Sequence, residues 1–214
     1  REIIKDPKTR TIHKAIFKDR VVHHIIINIL NPIFEPIFIF DSYASRKNKG
    51  HHKALKRFDY FKIKVSMNNT KNCYILKADI KHYFQEIDHE IFLDIFNKRI
   101  KDDKVLWLIK KILQNGVEKK GMPLGNYTSQ FLANVYLDYF DHFVKEKLKA
   151  KYYIRYVDDF VILHKSKEQL ELWKNLINIF LKRKLKLELH SDKSKIIRLK
   201  NGVNFLGFKI FKNH

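Results

Sequence analysis

Cysteine is nearly missing from this chain of 214 residues: Cys73 is the only one. A single thiol excludes an internal disulfide and any cysteine-rich zinc site, and it fits a reducing cytoplasm. Glycine and proline are scarce too, at 6 and 4, which argues against a long flexible linker. No apolar run approaches the ~18 residues a membrane span needs. No signal peptide is apparent, and the opening "REIIKDPKTR" reads as a trimmed start. Acidic residues are outnumbered, 23 against 44 Lys and Arg, so the formal charge is +21. The 11 histidines show no H-E-x-x-H spacing. The neighbours His23–His24 and His51–His52 cannot face one metal from a helix.

The chain does hold a core's worth of apolar residues, 45% hydrophobic with 14% aromatic, which excludes disorder. It is long enough for one large domain or two small lobes, and no internal repeat is visible. So large a basic excess calls for a polyanionic partner, because each neutralised phosphate releases condensed counterions. The basic residues are spread along the chain and form no amphipathic anchor, so nucleic acid is favoured over a membrane surface.

Periodicity and breakers give a coarse map. "DRVVHHIIINIL" reads as a helix with Asp19 near its start and Pro32 at its end. Residues 41–58 form a basic loop entering a helix, and "NCYILKADIKHYF" is a strand ending near Asp79. Asp88 is placed to cap a helix over "DHEIFLDIFNKRI". "KVLWLIKKILQ" is a short helix stopping at Asn115–Gly116. A long helix to about residue 149 carries Leu132, Val135, Tyr136, Tyr139 and Phe143 inward. "KYYIRYVDDFVILHK" is strand–turn–strand, and Ser166 with Gln169 forms a capping box for the next helix. "LKLELH" alternates as a half-buried strand, and "IIRLKNGVNFLGFKIF" predicts a hairpin across Asn201–Gly202. Strands and helices mix without regular βαβ alternation, which favours an α+β fold: an antiparallel sheet backed by helices.

Asp158 and Asp159 stand side by side between two apolar strands. Asp is a good turn residue, so the pair could simply close a hairpin. Asp79 shifts the balance, because it ends another apolar strand where packing has no use for an acid. If the strands share a sheet, three carboxylates converge. At ~4 Å and an effective dielectric near 20 each pair repels by roughly 4 kcal/mol. Hard divalent cations with oxygen ligands relieve that repulsion, Mg²⁺ above all. Two such ions make the clamp used in phosphoryl displacement. A basic chain with a carboxylate metal site points to polynucleotide chemistry.

These residues resemble a family. "YVDD" (156–159) between hydrophobic strands looks like the signature of reverse transcriptases, and "ADIKHYFQEIDH" (78–89) resembles their first catalytic-aspartate segment. "GMPLGNYTSQ" (121–130) is similar to their nucleotide-binding loop, and "LELHSDKSKI" and "FLGF" resemble the two segments that follow. The resemblance implies a right-hand polymerase with fingers at 1–73, a first palm strand at 74–86, fingers helices at 87–122 and palm at 123–214, no thumb following. By matching position it implies that Asp79, Asp158 and Asp159 hold two Mg²⁺ ions, for which Mn²⁺ can substitute, with the Ile80 carbonyl assisting. Lys193 would protonate pyrophosphate. Arg10, Tyr83, Phe84, Leu124, Gly125 and Gln130 would meet the incoming dNTP, with Phe84 under its sugar. Arg46, Lys49 and His52 would contact the template. An aromatic at a strand end is usually core, and charges in so basic a chain are usually solvated. Only the aspartates clearly exceed those ordinary roles.

Retroviral and group II intron enzymes carry Gln-Gly and usually Ser-Pro in this loop, where this chain has Leu124–Gly125 and Ser129–Gln130. "LGNYTSQ", "TIHKAIFKDRVVHH" and "FDSYASRKNKGHHKAL" resemble instead the enzymes of diversity-generating retroelements. The expected activity is RNA-directed DNA polymerisation in mutagenic retrohoming, with template RNA, primer or cDNA, dNTPs and an accessory protein as partners, away from any membrane. A group II intron-like or phage-defence reverse transcriptase is the alternative. A catalytically retired, RNA-binding palm is a third reading, against which the full aspartate set argues.

Overall fold

The structure, a computed structural model, describes residues 2–5, 9–12, 16–114 and 119–212. In chain order the elements are β1 (Glu2–Lys5), β2 (Thr9–Ile12), α1 (Phe17–Phe34), α2 (His51–Val65), β3 (Tyr74–Asp79) and α3 (Tyr83–Glu86). There follow α4 (His89–Asn97), α5 (Asp103–Leu113), α6 (Tyr127–His142), β4 (Tyr153–Tyr156), β5 (Asp159–His164), α7 (Lys167–Phe180), β6 (Lys195–Arg198), β7 (Val203–Phe205) and β8 (Phe208–Ile210). The class is α+β, with every strand pairing antiparallel. The chain divides into two compact units: residues 1–38 with 82–139, and residues 39–81 with 140–214.

The first unit is chiefly helical. Its core gathers Phe34, Phe96 and Phe131 from α1, α4 and α6, with Phe34–Phe96 centroids 5.3 Å apart. Asp88 caps α4, its carboxylate accepting from the Ile91 N–H at 3.0 Å. Pro32 does not end α1, which continues to Phe34. It sits in the last turn, where one lost backbone bond is offset by the burial of Phe34. Tyr139, expected inward, is exposed, with the Lys98 ammonium 5.3 Å from its ring centroid. The predicted stop at Asn115–Gly116 lies outside the described residues.

The second unit is built on a four-stranded sheet ordered β4-β5-β3-β6. One apolar cluster holds Phe58 and Phe61 of α2, Ile75, Ile154, Val161 and Leu163 of the sheet, and Phe205 of the β7–β8 ribbon. Cys73 is buried in it, and burial pushes its thiol up to about 12. On α7, Leu170, Trp173 and Ile177 are buried, and the Ser166 hydroxyl accepts from the Gln169 N–H at 3.0 Å.

Two expectations are corrected here. "LKLELH" buries Leu185, Leu187 and Leu189 alternately but forms no extended strand; only Leu189 bridges, to Ile80. Its first half ends the helical segment, through Lys186 at φ 51° and the Leu187 N–H donating to the Leu181 carbonyl, which leaves only Glu188 and His190 to bond the backbone of Lys81 and Asp79. The hairpin turn is not Asn201–Gly202 but Leu206–Gly207, whose φ values of 51° and 83° suit a two-residue turn between β7 and β8. Gly202 serves packing instead: a Cβ there would meet the Phe211 ring at 2.7 Å.

Candidate active site

β3 and β5 bury their apolar residues, and their antiparallel register sets Asp79 directly opposite Asp159. β4 feeds β5 through a two-residue turn, Val157–Asp158. Val157 has φ 56°, an unusual value for a β-branched residue. The Ile80 N–H donates to the Asp158 carbonyl at 3.1 Å, which ties the turn to the end of β3. All three aspartates of the sequence pattern thus lie at one end of the sheet's two inner strands.

Their electrostatics are uneven. The Lys193 ammonium lies 3.1 Å from both Asp79 carboxylate oxygens. Lys77 Nζ lies 3.2 Å from the buried Asp159 Oδ1, and that ammonium is the oxygen's one polar contact among the described residues. Burial pushes the Asp159 carboxyl up to about 6; Lys77 opposes the rise, and Asp79 and Asp158 add to it. Among the described residues, no group of three or more acidic, histidine or cysteine side chains is gathered to hold a metal ion. The donor set still suits one. Facing carboxylates are hard oxygen ligands, and the ammonium groups of Lys193 and Lys77 on Asp79 and Asp159 take the part a divalent cation could. The Ile80 side chain is buried beside them.

The remaining predicted residues fall into separate groups. In the first unit, Tyr83 is buried and donates to the Ala133 carbonyl at 2.6 Å. Phe84 is only half-buried, and its carbonyl accepts from the Met122 N–H at 2.7 Å. That bond ties α3 to the 121–130 loop, where Leu124 is half-buried and Gly125 and Gln130 are exposed. Gly121 has φ 98°, and a Cβ there would lie 3.2 Å from the Gln85 carbonyl oxygen. Arg10 is on β2 opposite Ile4, and its side chain lies outside what the structure describes. In the second unit, Arg46 donates to the carbonyls of Ile39 and Ser42 at 2.6 and 2.9 Å. Lys49 donates to the Phe40 carbonyl and stands 3.5 Å from the Phe40 ring centroid, while His52 is exposed at the start of α2.

Sequence reading missed Lys77, and it missed a buried pair behind the turn. Arg155 and Asp141 are both fully buried, with Arg155 Nη2 2.6 Å from Asp141 Oδ2. Their signal was present: Lys77 and Arg155 are charged residues inside apolar strands, where a charge persists only with a partner.

Three comparisons place this geometry. A profile described as "Reverse transcriptase (RNA-dependent DNA polymerase)" matches residues 4–210. Protein YkfC of Escherichia coli is 25% identical over 96% of this chain and 64% of its own length. The group II intron-encoded protein LtrA of Lactococcus lactis is 27% identical over 95% of this chain and 44% of its own. The chain therefore spans roughly half to two thirds of these two relatives. Among solved structures, apo telomerase from Candida tropicalis superposes with a TM-score of 0.63 at 15% identity, over 90% of this chain and 39% of that one. Telomerase from Candida albicans, in complex with a fragment of telomeric RNA, gives 0.65 at 10% identity, over 88% and 35%. The likeness to these structures is one of fold alone. With the profile covering nearly the whole chain, the strand ends that join Asp79 to Asp158 and Asp159 belong to a member of the reverse transcriptase (RNA-dependent DNA polymerase) family.

Proposed function

We propose that the chain is the fingers–palm portion of an RNA-directed DNA polymerase that copies template RNA into cDNA by nucleotidyl transfer. The observation that carries this reading is the Asp79–Asp159 register pair with Asp158 beside it. In the reaction the primer 3′ oxygen bonds to the α-phosphorus of a dNTP, and the bond to pyrophosphate breaks. Asp79, Asp158 and Asp159, with the Ile80 carbonyl, would hold two divalent ions, Mg²⁺ or Mn²⁺. Such ions, when bound, neutralise the charge that develops on the transferring phosphate. Lys193 screens Asp79 in the free protein and would turn to the leaving pyrophosphate as donor. Phe84 would lie under the sugar, with Arg10, Tyr83, Leu124, Gly125 and Gln130 lining the nucleotide site. Lys49 and His52, with the loop that Arg46 braces, would follow the template backbone, and the net charge of +21 supplies the affinity. Among the described residues no helix is long and apolar enough to cross a membrane. A cytoplasmic setting suits the single buried cysteine.

Primer extension on RNA and DNA templates tests the reading. Asp79→Asn or Asp158→Asn should lower extension by roughly a hundredfold or more while leaving RNA affinity nearly intact. Wild-type rates in either variant refute the assignment.

For the biological role, Leu124 and the Ser129–Gln130 pair support a diversity-generating retroelement. The likeness to LtrA supports a group II intron-like enzyme instead. Sequencing cDNA copied from a defined RNA separates them: the first requires errors concentrated at template adenines, and an even spectrum favours the second.

A further inference from the structure

Arg155 is the largest fully buried side chain among the described residues, and its burial needs a reason. A buried ion pair can often be replaced by apolar residues of similar volume with no loss of stability, so stability alone does not account for it. Its guanidinium is used in two directions. Toward the core, Nε donates to Asp141 Oδ1 at 2.8 Å and Nη2 to Asp141 Oδ2 at 2.6 Å. Nη2 also donates to Ser42 Oγ at 3.1 Å, and the Tyr153 hydroxyl completes the cluster by donating to Asp141 Oδ1 at 2.6 Å. Toward the turn, Nη1 donates to the Val157 carbonyl at 3.0 Å.

That last bond falls on the backbone that most needs holding. Val157 has φ 56°, and a left-handed conformation costs a non-glycine residue roughly 1–2 kcal/mol. Such a conformation persists only where the surroundings over-determine it. The carbonyl of Val157 is pinned by Arg155, and the next carbonyl, of Asp158, is pinned by the Ile80 N–H. Two successive peptide planes are thus fixed, and with them the directions in which Asp158 and Asp159 leave the chain. We propose that Arg155 is a positioning residue: clamped by Asp141 and Ser42, it locks the Val157–Asp158 turn so that the aspartates are pre-oriented. A lysine could keep the ion pair with Asp141, but a single ammonium cannot span both directions as the planar fork does.

The kinetic part of this inference rests on the polymerase reading. Two variants test it, Arg155→Lys and the apolar double replacement Arg155→Met/Asp141→Leu. The readouts are thermal unfolding, extension of oligo(dT) on poly(rA), and hydrogen exchange at the amides of residues 157–159. Both variants should unfold cooperatively and bind oligo(dT)·poly(rA) as the wild type does. Their kcat should fall about tenfold to a hundredfold, the scale of a small misplacement of reacting groups. KM for dTTP should change little, and turn amides should exchange faster. A folded variant with wild-type kcat and wild-type exchange overturns the role. So does loss of the cooperative transition in both variants, which would make Arg155 a group of the fold alone. If the wild type itself extends no primer, the polymerase reading fails, and the exchange comparison then decides the positioning role.

Discussion

Two aspartates of the same compact unit, Asp141 and Asp159, are treated in opposite ways. Asp141 is fully buried and accepts from three donors, on Arg155 and Tyr153. Burial and the Asp141 charge hold the Tyr153 hydroxyl well above the usual phenol range, so it stays a donor. Asp159 has one cation, Lys77, on its buried Oδ1, and the like charge of Asp79 across the strand pair. A satisfied carboxylate in a dry interior is a rigid fixture, whereas an under-satisfied one stores repulsion that a further cation can relieve. The difference teaches where the unit is finished and where it is left open. The finished site holds the strained turn through Arg155, and the open one lies at the ends of the two inner strands that the turn adjoins.

The sharpest way to break this contrast is Arg155→Ala. It leaves Asp141 charged and buried with only the Tyr153 hydroxyl, and should destabilise the protein by about 3–5 kcal/mol in urea unfolding. A cost below about 1 kcal/mol, the scale of an exposed pair, would mean that Asp141 is not a fixture. Lys77→Met removes the cation beside Asp159 and should cost less, about 1–3 kcal/mol. Adding Asp159→Asn to Lys77→Met should recover most of that loss, because the uncompensated charge goes with it. A double variant no more stable than Lys77→Met would show that Lys77 acts through packing. Asp159→Asn alone should change stability least, from neutral to slightly stabilising, although it removes a proposed metal ligand and with it primer extension. A clear loss of stability from this variant would place Asp159 with Asp141 among the structural acids.

Features governed by near neighbours were legible in the sequence. Asp88 and Ser166 cap helices as read, because a cap bond reaches only three residues along the chain, but the reciprocal half of the Ser166–Gln169 box is replaced by the Ser166 N–H donating to His164 Nδ1. The ends of β3 and β5 at Asp79 and Asp159 also follow local alternation and breakers. Where local signals competed with packing they misled. Asn201–Gly202 is a strong turn pair, yet β6 is engaged with β3, and the reversal moves to Leu206–Gly207. The alternation in "LKLELH" reports burial correctly, but burial does not need a ladder, and the only bridge there is that of Leu189 to Ile80.

By itself, then, the sequence determined the α+β class, the basic surface and the presence of carboxylates at strand ends, since each is a matter of composition or of short-range periodicity. That Asp79 faces Asp159 depends on register between strands separated by some eighty residues, and register is set by which apolar faces bury together. Only the tertiary structure could bring Lys77 and Lys193 to those carboxylates, or seat Arg155 between Asp141, Ser42 and the Val157 carbonyl. A charge inside a strand announces that it must have a partner; folding alone chooses which, because the cost of leaving it unpaired is felt only once water has been excluded.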